Sequence, residues 1–173
     1  MSAKTLTLPE QGHLGGKYLT FALGREEYGL AILKVREIIG FMEITAVPRT
    51  PSYVRGVINL RGQVIAVVDL RAKFGMSRAE RTEQTCIIVV EISREGRKLS
   101  TGIIVDKVSE VLSIKDESIE EAPAFGGSVD TGFILGMGKI GSSVKILLDI
   151  DKVLTAEEIA VVVDASSAEA QAA

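Results

Sequence analysis

The chain has 173 residues, 46% of them apolar and 25% charged, which suits one ordinary domain or two small units sharing a core and excludes a disordered chain. Its net charge of −3 comes without a basic block, which argues against nucleic acid as a partner. No apolar run approaches the roughly 20 residues of a membrane-spanning helix, the lone Cys86 excludes an internal disulfide, and with no Trp the core must be built from Val, Ile, Leu and Ala.

Residues 1–16 are polar and Gly-containing and read as a flexible arm. The arm has no apolar signal core, so a cytoplasmic location is expected. It holds His13, the only His, which is too isolated there to serve catalysis or a metal. Lys17–Leu23 alternates, with Leu19, Phe21 and Leu23 on one face, as a half-buried strand does. A polar turn follows, then a returning strand over Tyr28–Ile32 and another over Leu33–Ile39. Gly40–Pro51 is a connection. Val54–Phe74 holds two runs rich in Val and Ile around Asn59-Leu60-Arg61-Gly62, the pattern of a core hairpin whose tip carries a cation. Asp69 is placed to cap a short helix after the second run.

Gly75–Glu83 is a charged surface linker. Thr85–Ile92 and Lys98–Val105 form a second hairpin, with Cys86 a small core residue at its start, and Val108–Ile114 is a further strand. Lys115–Asp130 is acidic and reads as a loop; Phe133–Ile140 and Val144–Ile150 form a last hairpin. Thr155-Ala156-Glu157-Glu158 is a capping box that opens a C-terminal helix over about 155–163, and 164–173 is a small-residue tail.

The segment G-L-A-I-L-K-V-R-E-I-I at 29–39 returns as G-I-I-V-D-K-V-S-E-V-L at 102–112, an offset of 73 residues. Val64–Phe74 returns in the same order as Val144–Leu154, each an apolar strand, an Asp and a helix-like turn. Two matches in one order indicate a duplicated unit of about five short antiparallel strands. Sheets that small gain by closing, because closure removes exposed edges. The expected fold is therefore all-β: two small barrels, about 17–80 and 84–155, packed around a shared hydrophobic core within a domain spanning 17–160.

Gly136-Met137-Gly138-Lys139-Ile140-Gly141 matches G-x-G-x-x-G, but a dinucleotide site needs a helix after the glycines and a strand is expected here. One His and one Cys cannot build a conventional metal cluster, and no pair of carboxylates is set up for acid–base work. No cofactor, metal or catalytic residue is expected. A small-ligand protein built on a double barrel would need polar residues converging on a pocket, and the strands are nearly bare of them.

Glu27-Tyr28-Gly29-Leu30, then Lys34-Val35-Arg36-Glu37-Ile38, then Asn59-Leu60-Arg61-Gly62, then Val68-Asp69-Leu70-Arg71, in this order, closely resembles the CheW family of bacterial chemotaxis adaptors. Gly102–Asp106 and Val108–Leu112 continue the resemblance, which covers nearly the whole chain. It implies SH3-like five-stranded barrels and a non-enzymatic coupling protein. The implied partners are the cytoplasmic hairpin tip of chemoreceptors and the regulatory domain of the histidine kinase CheA, in arrays reached through partners rather than by membrane insertion. It also implies that Val35, Glu37, Arg61 and Val108 face the receptor and that Gly62 and Gly102 shape the backbone of the groove; it places no kinase-binding residue. Related adaptors of other chemosensory pathways, such as surface motility, share these features.

Overall fold

The computed structural model describes residues 14–94, 96–123 and 132–154. The first thirteen residues, part of the acidic segment and the expected helix over 155–163 lie outside them. Among the described residues eleven strands run in chain order: β1 (Gly16–Leu23), β2 (Glu26–Ala31), β3 (Val35–Gly40), β4 (Val54–Leu60), β5 (Gln63–Asp69), β6 (Cys86–Arg94), β7 (Arg97–Val105), β8 (Lys107–Ile114), β9 (Ile119–Glu120), β10 (Ile134–Ile140) and β11 (Ser143–Leu148). Two four-residue helices, α1 (Leu70–Lys73) and α2 (Ile150–Val153), follow β5 and β11. Asp69 and Asp149 cap them by accepting the Arg71 and Asp151 backbone N–H. The expected Asp69 cap is thus present, and the repeat carries it to Asp149.

The strands form a five-stranded sheet, ordered β3-β6-β7-β5-β4, and a six-stranded sheet, ordered β8-β1-β2-β11-β10-β9. These sheets do not follow the expected division at 17–80 and 84–155. Under the repeat β1–β2 corresponds to β6–β7, β3 to β8, and β4–β5 to β10–β11, and the two strand orders then coincide position by position, with β9 added at one edge. Each half therefore gives its first hairpin to one sheet and its later strands to the other. A sequence repeat identifies equivalent strands but not which copy they pair with, since exchange between copies conserves the same local contacts. The exchange also introduces one parallel pairing per sheet, β2 with β11 and β5 with β7, where only antiparallel pairing was expected. Parallel neighbours need a long crossover, and the intervening half of the chain supplies it.

The apolar residues sort into three clusters. Ile58, Ile65, Val67, Ile87, Val89 and Ile104 fill the inside of the five-stranded sheet, with Ile39 of its opposite edge packed on them, so that sheet curls into a barrel. Tyr18, Ile114 and Leu147 fill the inside of the other, closed by Leu112 and Ile119 from its two ends. The largest cluster lies between the sheets and takes Leu19, Phe21 and Leu23 from one and Val68, Ile88 and Ile103 from the other. This is the shared core that the repeat implied.

Three local expectations change. β1 is buried on both faces rather than one, because its second face lines the barrel interior: Tyr18 is 3% exposed and Thr20 0%. The Thr20 hydroxyl donates to the Glu110 carbonyl at 2.8 Å and accepts from the Glu110 N–H at 3.2 Å, which satisfies a polar group that burial would otherwise penalise. The strand expected over Leu33–Ile39 begins with a 3₁₀ turn at Ile32–Lys34, the bend by which the chain leaves one sheet for the other. The acidic loop after Ile114 contains a 3₁₀ turn at Asp116–Ser118 and the short β9, whose pairing with β10 ties the segment down.

Gly29 and Gly102, equivalent in the repeat, sit in the parallel pairs. A Cβ on Gly29 would come within 2.8 Å of Leu147 Cδ2, and one on Gly102 within 2.8 Å of Ile87 Cγ2. Gly102 is thus needed for room inside the five-stranded barrel. Gly102→Ala is expected to overpack that interior by about 1–3 kcal/mol and lower Tm by about 2–12 °C. Thermal unfolding checks this, and an unchanged Tm would show that the interior has slack.

Candidate functional site

The hairpin of β4 and β5 closes on two residues, since Leu60 pairs with Gln63. Arg61 and Gly62 have φ values of 53° and 86°, both in the left-handed region that a tight primed turn demands. The turn is narrower than the four-residue loop read from the sequence. Gly62 meets the demand without steric cost, and its N–H donates to Asn59 Oδ1 at 2.8 Å. Arg61 is one of two non-glycine residues at positive φ among the described residues, and an L-residue there costs on the order of 1 kcal/mol.

The Arg61 guanidinium donates to Glu37 Oε2, and their side chains are 69% and 31% exposed. β3 and β4 are the two edges of the five-stranded sheet, so this ion pair spans the seam where the barrel closes. An exposed pair of this kind contributes at most about 1 kcal/mol. It borders a polar hollow of about 270 Å³ lined by Arg36, Gln63, Val89 and Ser100.

Val35 and Val108 occupy equivalent places, at the start of β3 and beside the start of β8. Both are half-buried against the shared core. Val35 pairs with Val90 and Val108 with Phe21, so the two valines belong to different sheets. Arg61, Glu37 and Val35 are gathered on the five-stranded sheet, while Val108 approaches the shared core from the other. Gly62 is at the tip; Gly102 lies against Ile87 and Val67 of the barrel interior.

The G-x-G-x-x-G run is β10 and its turn, followed by β11 and not by a helix, so the glycines do not form a phosphate-binding helix entry. Burial pushes the Cys86 thiol above its ordinary pKa, which leaves it protonated and a poor nucleophile.

Sequence reading missed a set of polar ties between the elements. Lys145 Nζ donates to Glu27 Oε1 at 2.6 Å and Ser109 Oγ donates to Glu27 Oε2 at 3.0 Å, joining β11, β2 and β8. Lys34 pairs with Asp151 at 2.7 Å and Arg71 with Asp106 at 2.7 Å. These last two pairs are near-equivalents under the repeat with their charges inverted. A search of the repeat for opposite charges at matching positions would have found Arg71 against Asp151, but not Lys34 and Asp106, which are displaced by one residue.

The hydrogen bond from Lys145, with that from Ser109, holds the Glu27 carboxyl below its ordinary pKa against the opposing effect of burial. A carboxyl lowered in the folded state stabilises above its unfolded pKa of about 4.5, and that stabilisation disappears as pH falls through the folded value. Glu27→Gln should therefore be less stable than wild type at pH 7, with the gap closing below about pH 4. Denaturant unfolding at the two pH values tests this, and a gap independent of pH would assign the effect to packing.

Comparison with known proteins matches residues 17–158 to the CheW-like domain. The chain is 42% identical over 149 residues to the chemotaxis protein CheW of Klebsiella aerogenes, covering 86% of this chain and 87% of that protein. It is 35% identical over 144 residues to CheW of Rhizobium meliloti, covering 83% and 90%. The scaffolding protein TtCheW of Thermoanaerobacter tengcongensis has a similar solved structure, with a TM-score of 0.72 and 36% identity over 84% of this chain and 96% of that one.

Proposed function

The chain belongs to the CheW-like family and is a chemotaxis coupling adaptor, and from that premise we propose that it joins the cytoplasmic hairpin tip of chemoreceptors to the regulatory domain of the histidine kinase CheA, without chemistry of its own. Val35, Glu37, Arg61 and Val108 are the receptor-facing residues in this reading, with Gly62 shaping the tip. The observation that carries it is the Arg61–Glu37 pair, an exposed ion pair held on a tight turn at the barrel seam. A helical hairpin presents an apolar stripe flanked by charges. The half-buried valines suit the stripe, and Arg61 and Glu37 suit the flanking charges.

The reading assigns no kinase-facing residue. Among the described residues no helix is long and apolar enough to cross a membrane. Association with receptor arrays, in this reading, runs through the partners of a cytoplasmic adaptor.

Pull-down with a chemoreceptor cytoplasmic fragment and with the kinase regulatory domain tests the proposal. Wild type should bind both. Arg61→Glu should lose the receptor by at least about tenfold, as expected for a charge placed against its complement, and keep the kinase. Arg61→Gly separates charge from turn: relieving the left-handed Arg should leave stability equal or up to about 1 kcal/mol higher, while receptor binding still falls. Undiminished receptor binding by both variants would remove Arg61 from the contact. Failure of wild type to bind either partner would point to an adaptor for another pathway.

A further inference from the structure

A second hollow, of about 470 Å³, lies beneath the linker between α1 and β6 and shares no lining residue with the one beside Arg61. Four of the chain's ten arginines line it: Arg55, Arg71, Arg78 and Arg81. Two are compensated. Arg71 pairs with Asp106 at 2.7 Å and donates through Nε to the Ser77 carbonyl at 3.0 Å, while Arg55 faces Asp69 at 3.4 Å. Arg78 and Arg81 make no ion pair with any described residue.

Arg81 is nevertheless held in place. Its guanidinium lies over the Phe41 ring, 4.6 Å from the centroid. A guanidinium stacked on a ring keeps its in-plane N–H fork open, the geometry that meets phosphate oxygens two at a time. The adjoining turn is fixed by hydrogen bonds: Thr82 N–H donates to Thr85 Oγ1 at 2.9 Å, and Thr85 N–H to the Thr82 carbonyl at 3.2 Å. Thr85 Oγ1 thereby accepts one bond and keeps its own proton to donate into the hollow it lines. Among the described residues the only lining carboxylate without an ion-pair partner is Glu80, one negative charge against two open guanidinium groups.

We propose that this hollow binds a small phosphate-bearing anion, its oxygens held by Arg78, Arg81 and the Thr85 hydroxyl. The volume exceeds what a bare phosphate fills and is within the usual size of small-molecule sites, so a phosphomonoester with a modest organic group is the fitting class. Arg78 and Arg81 lie in Gly75–Glu83, a charged surface linker on a first reading of the sequence, and Thr85 just beyond it.

Calorimetric titration of the full chain with inorganic phosphate, AMP and glucose 6-phosphate, with potassium chloride at matched ionic strength as control, tests the site. Saturable binding by at least one phosphate probe and none by chloride is expected. Tighter binding of AMP or glucose 6-phosphate than of inorganic phosphate would assign a phosphomonoester, and equal binding free phosphate. The pair Arg78→Glu with Arg81→Glu should weaken binding by at least about tenfold, with Tm in chloride lowered by no more than about 4 °C, since both side chains are exposed and only the Arg81 contact with Phe41 is lost. Glu80→Gln should tighten it by about two- to fivefold, the usual scale for one exposed charge. No saturation up to about 10 mM, an affinity of roughly −2.7 kcal/mol, or equal affinity of wild type and the double variant, would overturn the proposal. Neither readout involves a receptor or kinase, so the result stands apart from the fate of the adaptor reading.

Discussion

Two parallel strand pairs hold this molecule together. β2 lies beside β11, and β5 beside β7, and each pair joins a strand of one half of the chain to a strand of the other. Neither barrel can form from a single half. The close approach at Gly29 and Gly102 lets side chains from neighbouring strands fill the space that a Cβ would take. The shared core follows from the same arrangement, because each half contributes strands to both sheets and so places apolar residues on both sides of the contact.

The chain must cross between sheets twice, once between β2 and β3 and once between β7 and β8. An ion pair braces each crossing to a short helix: Lys34 to Asp151 of α2 at the first, Asp106 to Arg71 of α1 at the second. Asp106 Oδ2 also accepts the Gly24 N–H at 2.7 Å, and Asp151 Oδ1 the Ser93 N–H at 3.0 Å, so one carboxylate reaches the turn between β1 and β2 and the other the end of β6. Single exposed ion pairs contribute little, but part-buried carboxylates with several donors are worth more because their charge is satisfied locally. A ladder of stacked rings, Phe21 to Tyr28 to Phe74 to Phe133, with centroids 5.9, 5.8 and 5.3 Å apart, carries packing across the junction from β1 to the approach to β10.

On this rigid frame the two candidate sites are built differently. At the hairpin tip, Arg61 is positioned by backbone geometry and by Glu37, with little energy invested in the pair. Under the linker, Arg81 is positioned by an aromatic face and a hydrogen-bonded turn, and its charge is left without a counterion among the described residues. The first arrangement suits a surface whose charges meet a partner in register; the second suits an anion that supplies the missing charge.

The sequence by itself determined the strands, because runs such as Ile65–Val68 and Ile87–Val90 are apolar on both faces and can sit only where both faces are covered. It also determined the duplication, the Asp69 cap and the cationic hairpin tip, since each depends on residues close together in the chain. The Asn59–Gly62 turn was legible for that reason, and the family resemblance pointed to Arg61 and Glu37 as members of one site. Only the tertiary structure decided which copy of each strand pairs with which, because exchanging equivalent strands leaves every local pattern unchanged. It alone brought Glu37 across the seam to Arg61, set Gly102 against Ile87 and Val67, and gathered Arg55, Arg71, Arg78 and Arg81 around one hollow. Those relations join residues far apart in sequence, and local propensity carries no information about them.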